Sequence, residues 1–144
     1  MKIVDLSQTI TRPFGSEKNP NWDRIDSLID LLSSKSGAIR LTYIVDDSPK
    51  DGPLDFSLYD RKEVTVNAEN GQYLLIYNLC DRNMGEEEIF SYDNTSVKPG
   101  EEMVEIIGDY WDASMVCTDL EIVRRAFKEF YETGDFWMEN FLLT

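Results

Sequence analysis

Apolar positions change their spacing several times along this chain, and each change marks an element. Residues 2–6, Lys-Ile-Val-Asp-Leu, read as a strand that Thr11-Arg12-Pro13-Phe14-Gly15 breaks. Trp22, Ile25, Leu28, Ile29 and Leu32 then recur at steps of three and four, which predicts a helix opening near Pro20 behind an Asn19 cap and closing at Gly37. From Ala38 the period drops to two: Ile39, Leu41, Tyr43 and Val45 alternate with Arg40 and Thr42, with Ile44 as the exception. Residues 46–53 form a turn cluster in which Pro49 and Pro53 withhold ladder donors, and Leu54, Phe56 and Leu58 resume the alternation. Residues 63–68 and 72–79 flank Glu69-Asn70-Gly71, whose Asn-Gly pair suits the positive φ angles of a tight hairpin. Further strands are expected at 88–92 and 103–108, separated by the turn-rich residues 93–100.

The last long element carries its own start signal. Thr118 and Glu121 have capping-box spacing, and Leu120, Val123, Phe127, Phe130 and Tyr131 line one helical face. Arg124, Arg125 and Lys128 lie toward the helix's negative end, and Gly134 stops it. The apolar tail at 136–143 is expected to dock on the core rather than trail in solvent. The sum is an α+β fold: a mainly antiparallel β-meander sheet with an N-terminal and a C-terminal helix packed on one face, in a single domain spanning 1–144. A chain of 144 residues, 42% of them hydrophobic and 12% aromatic, has ample material for one core. At this length folding buries roughly 68–70% of the unfolded surface.

Charge narrows the function. The chain holds 14 Lys and Arg against 28 Asp and Glu, a net −14, with no His. Without His there is no imidazole base, no Ser-His or Cys-His pair and no imidazole metal ligand. The charge also argues against direct nucleic-acid binding, because cations to displace the phosphate counterions are scarce. No apolar run has a signal peptide's length or reaches the ~20 residues of a membrane span, so the sequence predicts a cytoplasmic protein without membrane contact. Cys80 and Cys117 lack metal spacing and read as buried free thiols.

The acids concentrate in the second half. Between residues 81 and 121, twelve acids face only Arg82 and Lys98, a net −10. Such a field steers capture of a cationic surface. Glu86, Glu87, Glu88, Glu101, Glu102, Glu105, Asp109 and Asp112 form the candidate binding set, and Tyr110 and Trp111 are candidate aromatic anchors. Either aromatic could instead plug the core beneath the following helix. Asp109/Asp112 or Glu102/Glu105 could serve as a carboxylate pair for glycoside hydrolysis, although spacing does not establish their separation. Asp46, Asp47 and Asp51 depart from the calcium-loop pattern and read as a turn. Ser and Cys lack a base, Lys50 and Lys62 lie in polar sequence, and no phosphate-binding Gly-rich loop occurs. No catalytic residue, metal site or cofactor is assigned.

The run Gly108-Asp109-Tyr110-Trp111-Asp112-Ala113, followed by Thr118-Asp119-Leu120-Glu121-Ile122-Val123 and by residues 126–135 (Ala-Phe-Lys-Glu-Phe-Tyr-Glu-Thr-Gly-Asp), resembles small immunity proteins of bacterial polymorphic toxin and contact-dependent growth inhibition systems. The similarity covers residues 108–135, with agreement in size, acidity and α+β order elsewhere. It implies a cytosolic, non-enzymatic inhibitor, a monomer or weak dimer, that binds one cognate and cationic toxin domain, commonly a nuclease, over its active site or substrate surface. No toxin contact carries over residue by residue. The alternatives are an acidic secretion chaperone holding an effector segment, and a small carboxylate hydrolase.

Overall fold

The computed structural model describes residues 2–11, 15–45, 60–81 and 86–144. The predicted strand at 54–58 and the turn at 46–53, with Asp46, Asp47 and Asp51, lie outside the described residues. In chain order the elements are β1 (Lys2–Gln8), β2 (Gly15–Lys18), α1 (Trp22–Leu31), β3 (Gly37–Val45), β4 (Arg61–Glu69), β5 (Gln72–Asp81), β6 (Glu86–Tyr92), β7 (Met103–Ile106) and β8 (Asp109–Asp112). A 3₁₀ turn (Ala113–Met115), β9 (Val116–Cys117), α2 (Leu120–Thr133) and β10 (Phe141–Leu143) complete the chain. The main sheet is antiparallel throughout, in the order β10-β6-β5-β4-β3-β1-β2, with β9 returning to β5. β7 and β8 form a separate two-stranded ribbon.

The alternation of side chains places one apolar row across the sheet: Leu6, Leu41, Val64, Tyr77 and Phe90 are successive cross-strand partners. Both helices cover this face. Ile25, Leu28 and Ile29 of α1 and Val123, Ala126, Phe127 and Phe130 of α2 are buried in one core with Ile39, Val66 and Leu75. The fold is therefore α+β, with the two helices on one face of an antiparallel sheet. Arg124 of α2 ties the helices together by pairing with Asp26 and with Asp30 (2.5 Å) across to α1 and with Glu121 (3.2 Å) on its own helix. The tail docks as its composition requires: Phe136 and Phe141 both stack on Tyr77, at 4.5 and 4.1 Å, and the Tyr77 hydroxyl donates to the Trp137 carbonyl (2.8 Å).

Several strands run two residues past their expected ends, and the caps and stops of other elements differ from the sequence expectation. The α1 cap is Asn21, which accepts from the Arg24 amide (2.9 Å). Asn19 instead pins β1, giving its N–H to the Val4 carbonyl and accepting from the Val4 amide. Gly37 does not end the helix, which closes at Leu31; it opens β3 at φ 154°, where a Cβ would lie 2.7 Å from Ile10 Cγ1. The α2 cap is Asp119, accepting from the Glu121 amide (2.9 Å), while Glu121 turns to Arg124 instead of reaching back. Finally, the strand expected at 103–108 stops at Ile106. The Asn70-Gly71 turn has the expected form, with φ 53° and 74° and Glu69 opposite Gln72.

The other face of the sheet is also covered in part, so the exceptional Ile44 is buried, as are Thr42 and Asp5. Asp5 is only 5% exposed, and burial pushes its carboxyl above the ordinary 3.8 against the pull of Lys18 and a Ser16 hydrogen bond. A carboxyl raised in the folded state contributes stability while protonated and loses it as pH rises through the folded value. Asp5→Asn is thus expected to be more stable than the parent at pH 7, with the difference vanishing as pH falls below about 4. Urea unfolding of both proteins across that range checks it; an Asn variant less stable at pH 7 would show that the ionised carboxylate is held favourably.

Candidate functional site

Between β6 and α2 the chain builds the β7–β8 ribbon on the sheet face away from the helices. Its base is clamped from both sides. The Asp112 carboxylate accepts from the Gly100 amide (2.8 Å) and the Ser114 amide (3.0 Å), and the Ala113 amide donates to the Glu102 carbonyl (2.9 Å). The hydrogen bonds from Ser114 and Gly100 hold the Asp112 carboxyl below the usual carboxylate range. Asn94 adds a second clamp, its amide donating to the Ser114 carbonyl (2.7 Å) and its side chain to the Val116 carbonyl (3.0 Å).

Register then decides which side chains face out. Val104 lies opposite Trp111 and Ile106 opposite Asp109, while Met103 faces Asp112 and Glu105 faces Tyr110. Opposed residues share a face, so Val104, Ile106 and Trp111 turn inward and pack with Leu74, Val116, Ile76 and Met115. Met103 and Tyr110 turn outward, 59% and 67% exposed, with exposed Glu105 on the same face directly opposite Tyr110. The question left open by the sequence divides: Trp111 plugs a small core, and Tyr110 stands in solvent. Glu101 and Glu102 are exposed at the base and Asp109 at the tip. No ion pair among the described residues engages Glu101, Glu102, Glu105 or Asp109.

The ribbon's turn is Ile107-Gly108, with φ 48° and 82°. A β-branched residue in this left-handed conformation costs on the order of 1–3 kcal/mol, and Ile107 bears it with its side chain exposed at the tip. Sequence reasoning missed Ile107 as a site residue, because an apolar β-branched residue before Gly108 reads as strand. The signal present was Gly108-Asp109 following two isoleucines, a turn pair that also explains why the ribbon doubles back.

The remaining predicted residues lie elsewhere. Glu86, placed here by its backbone, with Glu87 and Glu88, opens β6, where Glu87 pairs with Cys80 and Glu88 with Leu79 in register. The ribbon instead packs on Leu74 and Ile76, three to five positions from Leu79 along β5, about 10–17 Å of strand at ~3.4 Å per residue. The Glu87 carboxylate accepts from the Asn78 side-chain amide, so it is partly engaged. The structure therefore brings Glu101, Glu102, Glu105, Asp109 and Tyr110 together, keeps Trp111 and Asp112 as supports of the same ribbon, and sets Glu86–Glu88 apart.

Chemistry at this site is limited by geometry. Asp109 and Asp112 point to opposite faces of the ribbon and do not converge on one substrate position. Cys80 and Cys117 are free and buried; burial pushes the Cys80 thiol up and the Cys117 thiol to about 11, so both stay protonated at neutral pH. Among the described residues no group of three or more His, Cys, Asp or Glu is placed to hold a metal ion, and no helix is long and apolar enough to cross a membrane.

These features define an α+β domain with an acidic two-stranded ribbon seated on the sheet through a small second apolar core. The chain belongs to the family of unknown function DUF6911, which matches residues 4–139. Its fold is similar to that in the crystal structure of a hypothetical protein from Neisseria gonorrhoeae, with a TM-score of 0.62 and 19% sequence identity over 97% of this chain and 90% of that one. No curated protein matches the chain.

Proposed function

We propose that this chain is a non-enzymatic inhibitor that binds a cationic toxin domain, in the manner of the immunity proteins its residues 108–135 resemble. The observation that supports this reading is the outer face of the β7–β8 ribbon. It presents Tyr110 and Met103 beside Glu105, with Glu101 and Glu102 exposed at the ribbon's base and Asp109 exposed at its tip on the opposite face. An exposed aromatic supplies buried area at a contact, and surrounding carboxylates pair with Arg or Lys across it and accelerate encounter. A basic nuclease domain, whose substrate surface must attract phosphates, is a fitting complement. Such an inhibitor acts in the cytoplasm, where the two free thiols stay reduced.

The test is to express the C-terminal domain encoded beside this gene and to measure complex formation by calorimetry at low and moderate salt. Tight binding that weakens with salt, together with loss of toxicity, is the expected result. Binding indifferent to salt would remove the electrostatic basis, and absence of a complex would remove the proposal.

A further inference from the structure

The two edges of the main sheet are treated differently. β2 at one end carries Ser16, Glu17 and Lys18, all exposed, with Glu17 in an ion pair to Arg24 (2.9 Å), the polar dress that keeps an edge from pairing with other chains. Among the described residues β10 at the other end has no such protection: Leu142 and Leu143 are 56% and 62% exposed, and Ile89 of the adjoining strand is exposed on the same face as Leu142.

The ladder also leaves bonding groups free there. The Asp93 amide donates to the Asn140 carbonyl (2.7 Å) and the Thr144 amide to the Ile89 carbonyl (2.8 Å), and Leu142 lies opposite Ser91. Residues 140, 142 and 144 therefore spend their backbone groups on β6, and by alternation the N–H and C=O of Leu143 point outward. Charge selects what could pair with them. Exposed Glu87 and Glu88 lie on β6 just beyond the register of Thr144, and exposed Glu139 lies in the turn before β10. A second copy would bring the same glutamates and another net charge of −14 to this edge.

We propose that the β10 edge docks an extended, lysine- or arginine-bearing segment of a partner protein, which adds a strand to the sheet through Leu143 and seats apolar side chains on Leu142 and Ile89. This site is distinct from the ribbon and does not depend on it.

The probe is a blocked eight-residue peptide alternating valine and lysine, titrated into the full chain with amide chemical shifts and hydrogen exchange as readouts; its valine–glutamate counterpart is the control. Expected are shifts at residues 141–144 and 89–91, slower exchange of the Leu143 amide, and no response to the control. Leu143→Pro removes the outward donor without touching the bonds to β6 and is expected to weaken binding about tenfold, the worth of one hydrogen bond. Should that variant not fold, Leu142→Lys with Leu143→Lys, both at exposed positions, is expected to abolish binding. Unchanged β10 amides, shifts confined to the ribbon, or full binding by the variant would overturn the proposal. A dimer with protected β10 amides in the absence of peptide would replace the basic partner with a second copy.

Discussion

Replacing Phe130 by Ala is expected to lower the stability of the domain by about 3–5 kcal/mol, the loss typical of a fully buried aromatic. Phe130 is completely buried on the inward stripe of α2. Its ring meets Tyr43 of β3 edge-on at 6.1 Å and stacks with Phe136 of the tail at 5.8 Å. One side chain thus joins the helix, the sheet and the docked tail, and truncation leaves a cavity that none of the three can close alone. Such pairs add about 0.5–1.5 kcal/mol beyond area burial. Equilibrium urea unfolding measures the effect; a loss under about 1 kcal/mol would mean that the three elements repack around the gap.

Reversing Glu101, Glu102, Glu105 and Asp109 to Lys is expected to slow capture of the proposed cationic partner domain by roughly 10- to 1000-fold at low salt, the range over which charge steers association. All four are exposed and outside any ion pair among the described residues, so unfolding should change little. The comparison that localises the contact is reversal of Glu87 and Glu88. At about 0.15 M ionic strength the screening length is ~8 Å, shorter than the stretch of β5 between the ribbon's footing on Leu74 and Ile76 and the partners of Glu87 and Glu88, so this second variant should keep most of the association rate. Stopped-flow measurements on both proteins decide it. Equal slowing by the two would mean that net charge alone governs encounter, and no slowing by either would remove the ribbon as the docking face.

Much of the fold could be read locally. The spacing of Ile25, Leu28 and Ile29, the stripe through Phe127 and Phe130, and the Asn70-Gly71 turn each depend on neighbours within one or two turns of chain, and each appears where expected. The caps shifted by one or two positions because adjacent polar residues compete: Asn19 with Asn21 and Thr118 with Asp119 can each take the same amide, and the approach of β1 or of Arg124 chooses between them. The site was legible only in part. Composition located the negative charge in the second half of the chain, but a period of two does not say which of its two faces is outward.

The sequence by itself determined the two helices and their buried faces, the strands at β1 and β3 to β7, the tight turn at Asn70-Gly71 and the sign of the surface, because these follow from backbone preferences and from charges that need no distant partner; the short strands β2, β8, β9 and β10 were not legible in it. Only the tertiary structure decided that β1 lies between β2 and β3 and that β9 returns to β5. It also decided that Ile107 turns the chain against its own preference, that Trp111 faces in while Tyr110 faces out, and that Glu86–Glu88 stand apart from the ribbon. Those outcomes depend on which apolar surface is left for a segment to cover once the rest of the sheet has formed, a condition set by residues far away in the chain.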